Sequence, residues 1–491
     1  MVGHVIHMEG GRLANDTPFE IVQQIVNSAV DTGNVVVHFH GGLVNEASAR
    51  AMAERLTPVY QQAGAYPIFP VWEAGLFETI SNNLGPLAKE TLFQLLFKRI
   101  RSIAKRKFAQ DDGGRSAGAL PVVEVSDEEE AIIRALNTGD ISIMPSEPTA
   151  SSGLTVLSEI EELALEEELK QDPELQIMVQ AVSAGLRDPA DIEREEAARS
   201  ATPVVASTET LMDPAAIDRL VDRTDPATRG IFSAAKFIKA IVVVAGRVIA
   251  RYVKRRDHGF HATIVEEILR EYYLANIGGA IWTQMKGDTK DSFGDDPAQF
   301  GGTALLSEIG KKINAGMSPK VTLVGHSTGA VYISHLLEAA ESLIPDSFKF
   351  DIVLLAPAST FDLTVSTFIS HQARIGGLRM FTMADENEKA DRLVPVLYPH
   401  SLLYFISGVL EADADAPVIG MQRFYDPSRY DGGKFKEIEK FRQFINNINN
   451  GVVWSVASGG SGLKTESRKH GDFDNDPATL ESVQHIILNG F

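Results

Sequence analysis

Several stretches of consecutive apolar and β-branched residues have the pattern of buried β-strands, and others repeat apolar positions at helical spacing. The strand-like runs are residues 34–40, 66–72, 321–325, 351–357, 378–383 and 452–457. The clearest helix-like segments are residues 91–107, 231–256, 262–285 and 331–343. The run 321–325 stops at Gly-His-Ser-Thr-Gly and leads into the helical segment 331–343, which draws attention to the turn between them.

That turn places Ser327 between a predicted strand and a predicted helix. A serine hydroxyl is a weak nucleophile at its free pKa, so a protein that uses one presents it on a sharp strand-to-helix turn beside a base. Glycines two residues before and two after the serine let neighbouring backbone come close, and the N-terminus of the following helix favours developing negative charge. We interpret Ser327 as a nucleophile. The alternative is an ordinary strand-turn-helix connection.

The turn resembles the nucleophile elbow of the α/β-hydrolase superfamily, whose members carry serine, acid and histidine in that chain order around a mostly parallel sheet. Upstream, the strand-like run 34–40 ends in His-Gly-Gly, which is similar to the oxyanion loop of that family. The resemblance implies that the N–H groups of Gly42 or Leu43 and of Thr328 bind the oxyanion. The alternative is a strand that ends in a Gly-Gly turn. The residues expected to line the substrate site are His40, Gly41 and His326.

The family places its histidine late in the chain, where His470 follows the run 452–457 and precedes a helix with Asp476 as its cap and Pro477 in its first position. The segment His-Gly-Asp-Phe-Asp resembles the histidine turn of the family, which makes His470 the expected general base. His400 and His485 lie in helical segments and are interpreted as structural. A calcium loop over the aspartates of this turn is disfavoured, because proline and valine stand where glycine and a bidentate glutamate are required.

The resemblance places the acid just beyond the predicted strand 378–383. Asp385 lies two residues past that strand and is the favoured candidate. Asp391 remains open, because Asp-Arg-Leu-Val-Pro resembles the Asp-x-x-Val-Pro found after the acid in many relatives. Glu386 and Glu388 are less favoured. Whichever aspartate is not the acid is expected to be a solvated loop carboxylate or a helix cap.

The resemblance implies an α/β fold of the α/β-hydrolase type, a mostly parallel sheet flanked by helices. Residues 1–75 and 301–491 would form the sheet, and residues 76–300 a large helical and acidic cap. More narrowly, the motifs resemble a group of uncharacterised bacterial serine hydrolases. The implied activity is esterase, lipase-like or phospholipase-like cleavage of carboxylic esters through a Ser-His-Asp triad and an acyl-enzyme, without metal or organic cofactor. The alternatives are a non-catalytic lipid-binding or scaffold protein on the same fold, or an acyltransferase or peptidase with the same triad.

Composition narrows the range of partners. The chain has 491 residues, enough for a large core, and a net charge of −20, which disfavours nucleic acid as a partner. It contains no cysteine, so disulfides and thiolate metal sites are excluded. His38 and His40 share one strand face and could bind zinc, but no Asp-His follows to complete a ligand set.

The start of the chain lacks the pattern of a signal peptide, which makes the cytoplasm the expected location.

The charge is concentrated in residues 111–229, which hold 27 acidic and 9 basic side chains and so carry −18 of the −20. The favoured interpretation is a solvated, partly disordered linker with helical pieces. The alternative is an acidic flap that pairs with a basic surface elsewhere in the molecule.

Two basic amphipathic segments, residues 91–107 and 231–256, flank the acidic segment. We favour a lid packed on the core for such helices, and the alternative for 231–256 is peripheral binding to a membrane surface. Residues 262–285 are expected to form one further helix, which carries Trp282 and packs near the elbow. The oligomeric state is left open by the sequence.

Overall fold

A computed structural model of the protein describes residues 3–42, 45–72, 76–110, 127–148, 150, 153–185, 210–221, 232–274 and 277–491. Leu43, a predicted oxyanion residue, lies outside the described residues. So do residues 111–126, 186–209 and 222–229 of the acidic segment.

The described strands form a mostly parallel sheet of eight strands in the order β2-β1-β4-β3-β5-β6-β7-β8. Only β2 runs antiparallel to its neighbour. The strands are β1 Val5–Glu9, β2 Arg12–Leu13, β3 Asn34–Phe39, β4 Tyr66–Trp72, β5 Lys320–His326, β6 Phe350–Leu355, β7 Ile375–Met383 and β8 Val452–Ser455. A separate antiparallel pair consists of β9 Ala457–Ser458 and β10 Lys464–Thr465. The predicted α/β class with a mostly parallel sheet is confirmed.

The central strands are buried on both faces, which explains why they read as continuous apolar runs in the sequence. In β3, Val35 and Val37 belong to the larger hydrophobic core on one face of the sheet. Val36, whose side chain points the opposite way, belongs to the smaller core on the other face. The sheet therefore separates two hydrophobic cores.

The described helices fall before, within and after the predicted cap. They are α1 Phe19–Asp31, α2 Glu46–Gln62, α3 Leu76–Ala88, α4 Thr91–Gln110, α5 Asp127–Thr138, α6 Glu159–Lys170, α7 Pro173–Gly185, α8 Pro214–Leu220, α9 Ala234–Val253, α10 Phe260–Tyr272, α11 Gly279–Asp291, α12 Gly301–Asn314, α13 Gly329–Leu343, α14 Phe361–Thr364, α15 Asp385–Ala390, α16 Leu402–Phe405, α17 Lys436–Asn446 and α18 Pro477–Asn489. Single 3₁₀ or π turns join some of them, including a 3₁₀ turn at His470–Asp472.

The helix α9 packs against α4, α6 and α10. Its apolar side is buried at Phe237, Ile241, Val244 and Val248. These packing partners all lie within the predicted cap, and the role of α9 as a lid stays a prediction. Among the described helices, none combines the length and apolar composition that spanning a bilayer requires.

The described acidic helices lie along α4 and pair with its cations. Arg99 Nε lies 2.6 Å from a carboxylate oxygen of Asp172, and Lys107 Nζ lies 2.8 Å from one of Glu161. Further pairs join Arg99 to Glu174, Arg106 to Glu168 and Lys105 to Glu128. In its described part, the segment therefore has the geometry of the less favoured interpretation, an acidic flap on a basic surface of the same molecule.

The prediction of one helix over residues 262–285 was wrong. α10 ends at Tyr272 and α11 begins at Gly279. Gly278, which precedes α11, has φ of 103°, a left-handed conformation that interrupts a helix and that glycine adopts without strain. The prediction that this segment packs near the elbow is nevertheless correct, because α11 packs against α13, the helix that follows the elbow.

Candidate active site

The elbow joins β5 to α13, and its centre is Ser327 with φ of 53°. A positive φ is strained for a residue with a side chain and is the conformation by which a sharp strand-to-helix turn presents a nucleophile. The turn is held by a 2.9 Å hydrogen bond from the Ser327 N–H to the carbonyl of Leu355 in the neighbouring strand β6. Its glycines are sterically required. A Cβ on Gly329 would overlap the carbonyl oxygen of Phe39, and one on Gly325 would lie 2.7 Å from Ile333 Cδ1.

The structure brings the predicted nucleophile and the predicted base together. Oγ of Ser327 and Nε2 of His470 are 2.9 Å apart, although 143 residues separate them in the chain. Burial and the charge of His326 lower the pKa of His470 to about 3, which favours a neutral imidazole. With its proton on Nδ1, a neutral imidazole can accept the hydroxyl hydrogen at Nε2. Both side chains are closed off from solvent, since Ser327 and His470 are each 2% exposed.

The two candidate acids are placed differently. Asp391 Oδ2 accepts a 2.8 Å hydrogen bond from the main-chain N–H of His470, and burial raises the pKa of this carboxyl. Asp385 instead accepts from the Tyr404 hydroxyl at 2.5 Å and pairs with Lys389 at 2.6 Å. Although burial opposes it, these contacts hold the pKa of Asp385 below its usual value. The structure therefore brings Asp391 to the histidine turn and does not bring Asp385 there.

Neither carboxylate reaches the imidazole itself. Nδ1 of His470 is buried without a hydrogen-bond partner among the described residues. Of the less favoured candidates, Glu386 is exposed and Glu388 is fully buried, with one oxygen bonded to the Ser401 hydroxyl and the other unpaired. Burial raises the pKa of Glu388 well above its usual value. The identity of the acid stays a prediction.

The predicted oxyanion loop lies against the elbow. A Cβ on Gly41 would be 3.2 Å from Cβ of Ser327, and one on Gly42 would be 3.0 Å from Oγ1 of Thr328 and would overlap Met285 of α11. No hydrogen bond within the described part of the chain uses the N–H of Thr328. This N–H lies at the N-terminus of α13, where the helix dipole favours negative charge. The arrangement is suited to a negatively charged oxygen beside Ser327.

Two of the predicted substrate-lining residues use their ring nitrogens within the protein. His40 stacks on Trp72 at 3.8 Å between ring centroids, bonds the Gly41 carbonyl through Nδ1 at 2.8 Å and accepts the Trp72 N–H at Nε2 at 3.2 Å. His326 contacts the His470 carbonyl and Asp474. Both imidazoles therefore hold the site together, and neither presents a free nitrogen to a substrate.

His38, one of the two histidines considered as zinc ligands and disfavoured for that role, also has a partner within the protein. Nδ1 of His38 bonds the Tyr60 hydroxyl at 2.7 Å, and burial lowers the pKa of His38 to about 3. Within the described ranges, the side chains grouped closely enough to hold a metal ion are His7, Asp16 and Glu46. Arg50 already donates to both of those carboxylates at 2.7 Å.

No catalytic or positioning role was predicted for Asp474, which lies beside His326 in the structure. The side chains of Asp474 and His326 are 3.6 Å apart, and Asp474 is 7% exposed. The sequence feature that could have indicated this contact is the position of Asp474 four residues after His470. That segment must fold back onto the elbow if His470 is to reach Ser327. The contact itself links residues far apart in sequence.

A cavity of about 750 Å³ lies beside Asp385 and is lined in part by Arg423, Arg442 and Trp454. Neither Ser327 nor His470 lines it.

In comparisons with protein-family models, curated proteins and solved structures, this chain matches none.

Proposed function

We propose that this protein is a serine hydrolase that cleaves carboxylic esters, with Ser327 as nucleophile and His470 as general base. The observation that carries the proposal is the 2.9 Å approach of Ser327 Oγ to His470 Nε2, with Ser327 held at φ of 53°. A plain strand-turn-helix connection requires neither the strained serine nor a histidine on its hydroxyl. The combination is what an activated serine requires.

In the proposed reaction, His470 takes the hydroxyl proton as Ser327 attacks the ester carbonyl, and then gives that proton to the departing alcohol. The N–H groups of Thr328 and Gly42 stabilise the tetrahedral oxyanion. Water then attacks the acyl-enzyme with His470 again as base, which releases the acid and restores Ser327. Every step uses groups of this chain, the ester and water.

We further propose that the fold is of the α/β-hydrolase type. The strand order β4-β3-β5-β6-β7-β8 supports this, because it places the elbow after a central strand and the acid candidates after β7. The His-Gly-Gly loop after β3 is adjacent to the elbow because β3 and β5 are neighbours in the sheet. Ligand sites in open parallel sheets lie at the carboxyl ends of such strands.

The substrate must enter a covered site. Because Ser327 is 2% exposed, an ester reaches its hydroxyl only after covering residues move. Met285 of α11, which contacts Gly42, is one such residue. A small-molecule or lipid ester that displaces α11 would bring its carbonyl to the elbow, and we propose this class as substrate.

Labelling with a fluorophosphonate tests the proposal, because this probe modifies only an activated serine. Wild-type protein should be labelled, and Ser327→Ala should abolish labelling and short-chain ester hydrolysis, since removal of a triad nucleophile costs on the order of a millionfold in turnover. Ser334→Ala is a matched control on α13, because Ser334 is also buried, but among the described residues its hydroxyl bonds only the Ala330 carbonyl. Far-UV circular dichroism checks folding. Labelling of Ser327→Ala at the wild-type rate would show that Ser327 is not the nucleophile.

A further inference from the structure

A second histidine and aspartate lie directly behind the Ser327–His470 pair. Nε2 of His326 is 3.0 Å from the carbonyl oxygen of His470, and Nδ1 of His326 is 3.6 Å from Oδ2 of Asp474. The rings of His326 and His470 are 5.5 Å apart between centroids. His326 precedes the nucleophile and Asp474 follows the base by four residues, so the pair joins the two halves of the site.

The environment of Asp474 supports an ionic contact. Although burial opposes it, the neighbouring imidazole of His326 lowers the pKa of Asp474 to about 2. Burial also opposes protonation of His326, but Asp474 and the His470 carbonyl raise the pKa of that imidazole. Arg55 of α2 lies 3.8 Å from the Asp474 carboxylate and donates to its main-chain carbonyl. The buried carboxylate thus has cationic partners from two different elements.

We propose that His326 and Asp474 form an ion pair that positions His470 and sets the pH range in which His470 acts as a base. This proposal rests on the proposed function. His326 is a positioning residue, because it contacts the main chain of His470 and not the Ser327 hydroxyl.

The positioning role follows from how His470 is held. Its imidazole has no partner at Nδ1 within the described ranges, so no carboxylate of those ranges orients the ring. Both main-chain polar groups of His470 are held instead, because Asp391 accepts from its N–H and His326 bonds its carbonyl. These two contacts fix the backbone from which the imidazole reaches Ser327.

The electrostatic role follows from the distance between the rings. A protonated His326 disfavours a second positive charge on His470, so removal of that charge raises the pKa of His470. Asp474 acts in the opposite direction on the pKa of His470, but its effect is smaller than that of His326. The other titratable or charged groups that face this pair are Asp391 after β7, Arg55 of α2, and His38 and His40 of the segment that ends β3.

Two substitutions separate the positioning role from the electrostatic role. In His326→Gln the amide can still donate to the His470 carbonyl, but the charge is lost. In His326→Ala both the hydrogen bond and the charge are lost. His371→Gln is the matched control, because His371 is a partly buried histidine that bonds the Thr367 carbonyl and lies outside this cluster.

Two readouts follow His470 as a function of pH. One is the rate of fluorophosphonate labelling, and the other is the side-chain nitrogen NMR titration of protein labelled with ¹⁵N-histidine, assigned with His470→Gln and His326→Gln. His326→Gln should raise the midpoint of both by on the order of one pH unit. His326→Ala should in addition lower the limiting labelling rate, and His371→Gln should change neither. Unchanged midpoints in folded His326→Gln would overturn the proposal.

A third variant tests the ion pair without altering His326. Asp474→Asn removes the counter-ion, so the NMR midpoint of His326 should fall, and an unchanged midpoint would also overturn the proposal. The outcomes separate the two proposals. Wild-type protein that is never labelled, but shows both NMR shifts, refutes the hydrolase and retains the pair. Labelling that depends on Ser327, with no midpoint shift in His326→Gln, retains the hydrolase and refutes the pair.

Discussion

The imidazole of His470 uses one of its two ring nitrogens. Nε2 approaches Ser327, whereas Nδ1 is buried without a partner in the part of the chain that the structure describes. A buried polar atom without a hydrogen bond is costly, so some rearrangement that supplies a carboxylate or water to Nδ1 is expected when the site works. Asp391 already accepts a hydrogen bond from the main-chain N–H of His470, which makes its carboxylate the candidate partner for Nδ1. Asp385 is engaged by Tyr404 and Lys389.

The acid can be identified by replacing each aspartate with its amide. We expect Asp391→Asn to reduce fluorophosphonate labelling far more than Asp385→Asn. The loss should approach the roughly 10⁴-fold scale known for replacing an orienting acid, because the amide favours the wrong imidazole tautomer. Asp385→Asn should mainly lower thermal stability, since it weakens the contacts of Tyr404 and Lys389. A larger loss of labelling in Asp385→Asn would reverse this assignment, and small losses in both would mean that neither is the orienting acid.

Local signals identified the residues whose roles are set by neighbours in sequence. Ser327 and its flanking glycines were predicted because a strand, a tight turn and a helix succeed one another within a few residues. The pairing of His326 with Asp474 was not predicted, because it depends on how the histidine turn folds back onto β5. The acid was not identified either, because spacing alone does not distinguish Asp385 and Asp391, which lie at the two ends of the short helix α15.

Among the elements, α4 is enclosed on two sides. Its apolar residues, including Phe93, Leu96 and Phe97, are buried, and α9 and α10 pack on the helix. Its cations face the acidic helices, and Arg99 is only 5% exposed where it meets Asp172 and Glu174. A buried cation that loses its carboxylates is strongly unfavourable, so this contact makes the acidic segment part of the folded unit.

Replacement of Arg99 tests whether this contact stabilises the fold. Arg99→Ala leaves Asp172, which is 10% exposed in its side chain, without its nearest cation, and we expect a loss of about 3 kcal/mol. Lys170→Ala is the matched control, because its pair with Glu167 is exposed and should contribute no more than about 1 kcal/mol. Urea unfolding measures both. Equal, small changes in the two variants would show that the acidic helices rest on α4 without stabilising it.

Element types were predicted better than element contacts. The strands at 34–39, 66–72 and 378–383 are all found, because buried parallel strands are continuous apolar runs. The edge strand β2 has two residues and gives no such signal. The pairing of the acidic segment with α4 was only the less favoured interpretation, because composition alone does not distinguish a solvated acidic linker from one with a basic partner in the same chain.

At the scale of the whole molecule, the question is whether the basic helices bind to a membrane surface. The net charge of −20 repels an anionic bilayer. The apolar side of α9 is buried, and two of its arginines are paired, Arg247 with Glu271 and Arg251 with Glu266. The exposed cations of residues 231–256 outside these pairs are Lys236, Lys239, Lys254 and Arg255. Near an anionic surface each contributes about 1 kcal/mol, which is too little to offset a buried apolar face.

We therefore expect the intact protein to remain in the supernatant when anionic liposomes are sedimented, at low and at high salt. Interfacial binding through α9 would require that helix to separate its apolar side from α4 and α10. The packing of Phe237 and Ile241 would then be lost, and the only gain would be the attraction of a few cations to the bilayer, which salt screens. A variant with Lys236→Gln, Lys239→Gln and Lys254→Gln is the control, and zwitterionic liposomes give the background. Sedimentation of the intact protein that disappears at high salt and in this variant would contradict a closed cap. It would mean that α9 docks on lipid, and that the cover over Ser327 opens at a membrane surface.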